Sequence, residues 1–117
     1  MQLEKFYAQI DAPYQDVLER FCKDEEMLGT FVGSFPKDRT YAELTAAVEA
    51  GDAQQIRYQA HALKGVAANL GFVGLQAACA ALDQCIRQER MGQIAPCYAI
   101  VRQEYEKIMR ALQTRPS

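Results

Sequence analysis

The chain has 117 residues and a mass of 13.1 kDa, half of them hydrophobic and 24% charged, which fits one domain that can bury a core of its own without metal or disulfide staples. Thirteen basic residues against fifteen acidic ones leave a formal charge of −2. With no run of five like charges, the balance argues against bulk attraction to nucleic acid or to an anionic membrane. Ala and Gln are the commonest residues and Val and Ile are few, a mix that favours helices over strands.

The N-terminal stretch MQLEKFYAQI carries an acid and a base within five residues, so it does not read as a secretory signal. No stretch approaches the ~18 apolar residues of a membrane span, and the expected location is the cytoplasm. The four cysteines, Cys22, Cys79, Cys85 and Cys97, form no CxxC pair, and one histidine is too few to complete a zinc site. They are expected as free thiols.

In chain order, residues 2–10 can form a short helix carrying Leu3, Phe6 and Ile10. Asp11-Ala12-Pro13 then reads as a cap with Pro in the first turn of a second helix over 13–22. From Asp24, three acids open a helix whose apolar stripe is Met27, Leu28, Phe31, Val32 and Phe35, stopped or kinked at Pro36. Thr40-Tyr41-Ala42-Glu43 has capping-box spacing and starts a helix that turns Tyr41, Leu44 and Val48 inward and ends at Gly51.

Asp52-Ala53-Gln54-Gln55 repeats that spacing and opens a helix to about Leu70, closed by Gly71. The next helix, about 72–90, sets Leu75, Cys79, Leu82 and Ile86 on one face. A last helix begins near Ile94 with Pro96 in its first turn and aligns Tyr98, Val101, Tyr105, Ile108 and Leu112. The predicted fold is all-α: one domain over 1–117, an up-down four-helix bundle over 24–112, short additional N-terminal helices over 1–23 and a tail over 113–117.

On a helical wheel of about 100° per residue, Ile56, Ala60, Leu63, Ala67 and Leu70 share a narrow arc that must be the core face. His61 lies about 140° from its centre by the same arithmetic, which points it to solvent. Gly65 follows one turn on, where a helix-interior Gly costs about 1 kcal/mol relative to Ala. Bare backbone there gives a partner close access to the imidazole. Lys64, three residues after His61, sets a cation beside it. The plainer alternative is a solvated surface histidine and a Gly that admits a neighbouring helix.

His61-Ala62-Leu63-Lys64-Gly65, followed by Gly71, Leu75, Cys79 and Leu82-Asp83, resembles the signature of histidine-containing phosphotransfer (HPt) domains. Ala50-Gly51-Asp52 and Tyr58-Gln59-Ala60 resemble that family's run into its histidine. The resemblance covers about residues 24–90. Asp83 stands where the family commonly has Glu or Gln, and Asn69 where small hydroxyl residues are frequent.

The resemblance implies that His61 accepts a phosphoryl group from an aspartyl phosphate of a receiver domain, or from a sensor kinase, and passes it to the Asp of a response regulator. Lys64 would then stabilise the phosphoryl group and Gly65 give access. A neutral imidazole keeps a nucleophilic nitrogen free. Phosphoryl transfer needs in-line geometry and charge neutralisation more than covalent help, and the resemblance places the Mg²⁺ and the acidic site in the receiver, with no cofactor on this chain.

Docking candidates are Arg57, Ala68, Phe72 and parts of the 24–35 helix, with Arg57, Arg87 and Arg90 able to face an acidic partner. No Gly-rich phosphate loop or helical E-x-x-H motif is present, so neither an autonomous kinase nor a metalloenzyme is expected. The alternative function is a phosphate-independent helical interaction module. One active histidine per bundle suggests a monomer, and the initial Met and short polar tail favour a free-standing protein over a piece of a larger kinase.

Overall fold

In the computed structural model, which describes residues 2–113, each apolar stripe of the sequence becomes the inner face of a helix. The elements in chain order are α1 (Leu3–Gln9), α2 (Tyr14–Arg20), α3 (Glu25–Ser34), α4 (Thr40–Ala50), α5 (Ala53–Leu70), α6 (Val73–Arg87) and α7 (Ile94–Gln113). Two short 3-10 turns, Phe35–Lys37 and Met91–Gln93, precede α4 and α7. No strand occurs among the described residues. Residues 114–117 of the expected tail lie outside them, and Gln113 is the last residue of α7.

Helices α4 to α7 form the bundle: α5 packs between α4 and α6, and α7 closes the ring against α6 and α4. The turns between its first three members are set by glycines. Gly51 and Gly71 adopt φ of 68° and 72°, a left-handed conformation that costs a side-chain-bearing residue energy. After each, the next backbone N–H reaches back to the helix, Asp52 to the Ala47 carbonyl at 3.1 Å and Phe72 to the Ala67 carbonyl at 2.8 Å, the Schellman arrangement. Asp52 then caps α5 by accepting from the Gln55 N–H at 3.2 Å.

Ile56, Ala60, Leu63, Ala67 and Leu70 are all buried, as the wheel predicts, and so are Leu75, Cys79, Leu82 and Ile86 of α6. From α7, Val101 and Ile108 are buried while Tyr98, Tyr105 and Leu112 pack against the core from its edge. Tyr41 lies parallel to Tyr105 at a centroid distance of 3.7 Å, closing the seam between α4 and α7.

Helices α1 to α3 cover the end of the bundle where α5 stops. Tyr7 donates to the Leu70 carbonyl at 2.6 Å and Arg20 to the Ala68 carbonyl at 2.8 Å, satisfying helix-terminal acceptors that otherwise lack partners. Phe72 sits beneath them, in ring contact with Phe6, Tyr7 and Phe35. Only 1% of it is exposed, so it offers a partner no docking surface. That expectation is corrected: Phe72 follows the Schellman glycine, the position whose apolar side chain folds back onto the helix end.

Three smaller expectations also change. Thr40 is the first residue of α4 rather than its cap, because Asp38 accepts from the Thr40 N–H at 2.8 Å. Pro13 flanks α2 rather than standing in its first turn, and Asp11 takes a φ of 53° as the chain leaves α1. In the α3 stripe Leu28, Val32 and Phe35 are buried, but Met27 and Phe31 are exposed, since α3 meets the bundle along a narrower face than its apolar pattern suggests.

Candidate functional site

His61 sits in the middle of α5, rigidly held because Ala60 just before it and Leu63 two residues after it are locked in the core. Its side chain is exposed. Among the described residues no hydrogen bond or ion pair engages the imidazole, so its nitrogens face solvent uncommitted. Lys64, half-buried one turn further on, has no carboxylate partner among the described residues. A Cβ placed on Gly65 would meet nothing within 4 Å. No neighbouring helix therefore needs this glycine, which removes the packing explanation for it and leaves open space on the C-terminal side of the histidine.

On the other side of His61, α5 and α6 frame a shallow groove of about 650 Å³ lined by Arg57, Tyr58, His61, Ala62, Asp83, Ile86 and Arg87 among others. Asp83 bridges it. Its Oδ1 lies 3.1 Å from Arg57 Nε and its Oδ2 3.0 Å from Arg87 Nε. Both carboxylate oxygens are thus occupied by guanidinium groups, and the carboxylate makes no bond to His61.

The structure gathers His61 and Arg57 on one groove, with Arg87 joining them. Ala68 is half-exposed two turns beyond His61, and its carbonyl is taken by Arg20. Arg90 is exposed beyond the end of α6, outside the groove. Sequence reasoning missed Tyr58, 67% exposed beside the histidine, and the role of Asp83 as hub. The Asp83–Arg87 half of that hub is an i,i+4 pair readable on a wheel. The Arg57 half crosses between helices and needs the packed bundle.

Two of the remaining thiols, Cys79 and Cys85, are poor competitors for chemistry. All four cysteines are free. Burial pushes the Cys79 thiol up to about 12, and burial together with the neighbouring Cys97 raises that of Cys85, so both stay protonated at neutral pH. No group of three or more His, Cys, Asp or Glu side chains that could hold a metal ion occurs among the described residues. No helix in the described part of the chain is long and apolar enough to cross a membrane.

An exposed, unpaired imidazole on a rigid helix, flanked by a free ammonium and open backbone, can act as a nucleophile toward an electrophile brought by a partner. Comparison with known families agrees with that chemistry: the family model for the Hpt domain matches residues 26–115. No curated protein and no solved structure matches the chain.

Proposed function

The chain belongs to the Hpt domain family, whose members carry out histidine phosphotransfer in two-component phosphorelays, and from that premise we propose that His61 is its phosphoacceptor. The observation that carries the assignment is the uncommitted, exposed imidazole beside open space at Gly65. The imidazole lone pair forms an N–P bond as the O–P bond of a receiver's aspartyl phosphate breaks, and the electron pair leaves on the carboxylate. Onward transfer reverses the roles, a second receiver's Asp attacking phosphorus while the imidazole leaves.

Lys64 neutralises phosphoryl oxygens through charge-assisted hydrogen bonds, and Gly65 lets the partner's active site approach. The receiver supplies Mg²⁺ and the acidic pocket, so this chain works as a carrier without kinase activity of its own, as a monomer in the cytoplasm. The donor is a receiver domain or a sensor kinase, and Arg57 and Ala68 contribute to docking.

The test is to incubate the purified chain with labelled ATP alone and with a receiver charged by a small acyl phosphate and Mg²⁺. The carrier reading expects label only from the receiver, and none in His61→Gln. Label acquired from ATP alone contradicts the carrier role. Receiver binding with no transfer across a broad panel would instead favour the phosphate-independent interaction module.

A further inference from the structure

Arg57 precedes His61 by one helical turn, so the two side chains share a side of α5. Across the groove, Asp83 and Arg87 stand one turn apart on α6. The Asp83 side chain is only 15% exposed, and it is approached by the Nε of each guanidinium rather than by their outer ends. Among the described residues neither arginine has another bonded partner. The amino groups of both are thus left for an incoming anion, while a hydrogen bond from Arg57 Nε fixes that guanidinium from behind and an ion pair tethers Arg87.

Three charged side chains with a net charge of +1 therefore border His61 in the groove, whose lining does not include Lys64. Ion pairs with exposed arginines contribute little to stability. What this arrangement supplies is orientation, since a guanidinium held at Nε presents its remaining N–H groups in a planar fork suited to phosphoryl oxygens.

We propose that Asp83 is a positioning residue for phosphoryl transfer, aiming Arg57 and Arg87 at the oxygens of the phosphoryl group on His61. The inference rests on the reading of His61 as phosphoacceptor. This carboxylate acts through two arginines and makes no bond to the histidine itself.

Charge and orientation predict opposite signs for one substitution. Asp83→Asn keeps the size of the side chain but removes a negative charge beside the phosphoryl site. Electrostatics alone would then speed the attack of His61 on an anionic donor and lengthen the life of phosphohistidine. Loss of aim would slow the first and shorten the second.

The partner-free probe is phosphoramidate: its P–N bond breaks, ammonia leaves, and a new P–N bond forms at His61. Asp83→Asn is expected to be labelled about tenfold more slowly than the unaltered chain and to lose its label about tenfold faster, the scale of a lost charge-assisted contact. Asp83→Glu should recover part of both. Arg57→Lys should recover neither, because an ammonium lacks the fork.

Equal or faster labelling of Asp83→Asn, with label equally long-lived, would overturn the proposal, provided its circular dichroism and melting match the unaltered chain. Arg57→Gln and Arg87→Gln, both altered at exposed side chains, repeat the test should Asp83→Asn misfold, and unchanged labelling in both would overturn it equally. If the unaltered chain is labelled at His61 and passes label to a receiver while these variants behave like it, only the positioning role fails. Failure of the unaltered chain to label or to pass it on would remove the phosphotransfer reading and this role with it.

Discussion

One helix carries two glycines in opposite surroundings. Gly65, in the middle of α5, has open space where a side chain would stand, whereas Gly71, at its end, adopts a φ of 72° and would drive a Cβ into the Val17 side chain. Around Gly71 the polar groups are matched: Tyr7 and Arg20 take carbonyls of the last turn and Phe72 fills the space below. Near Gly65 the His61 imidazole and the Lys64 ammonium are left free. The end of α5 is built to hold the fold and its middle to meet something else, and the same residue type serves both because glycine supplies backbone freedom at one site and absence of bulk at the other.

Substitutions can break this contrast. His61→Gln should abolish phosphoryl acceptance while leaving the melting temperature within error, since its side chain lies outside the core; a large drop in melting temperature would mean the middle of α5 is structural as well. Gly71→Ala should leave any surviving folded chain competent but lower stability by about 2–5 kcal/mol, combining left-handed strain with overpacking against Val17, as read from urea midpoints. Unaltered midpoints would show that the end of the helix is not tightly determined.

Gly65→Leu tests the other glycine and should move the two readouts apart. Stability should rise by up to about 1 kcal/mol through helix propensity, while transfer from a charged receiver falls at least about tenfold, the cost of even modest misplacement of reacting groups. Transfer at the original rate would leave Gly65 without a role in access. Lys64→Ala should have the smallest effect, slowing transfer or shortening phosphohistidine lifetime by roughly three- to tenfold, as fits one partly screened charge-assisted contact. An unchanged rate and lifetime would return Lys64 to the solvated surface.

The bundle was legible in the sequence because its signals are local. The Asp52 cap, the glycines at 51 and 71 and the α5 and α6 stripes each depend on residues within a few positions of one another. The exposure of His61 followed from the same periodicity. Legibility declined wherever a partner lay far along the chain. The burial of Phe72 depends on Phe6 and Tyr7, more than sixty residues away, although its place after a Schellman glycine was a usable local sign. Met27 and Phe31 read as core because a stripe records what could be buried, and the area α3 finds against the bundle is narrower. The Arg57–Asp83 pair joins two helices whose rotation about each other no local pattern encodes.

The most direct measurement charges one receiver domain with a small acyl phosphate and Mg²⁺, mixes it with this chain, and locates the phosphoryl group by fragment mass spectrometry before adding a second, uncharged receiver. The account predicts an acid-labile, alkali-stable phosphoryl group on His61, absent from His61→Gln, that leaves the chain when the second receiver is added. Label that persists in His61→Gln, or a folded chain that no charged receiver in a broad panel can label, would contradict it.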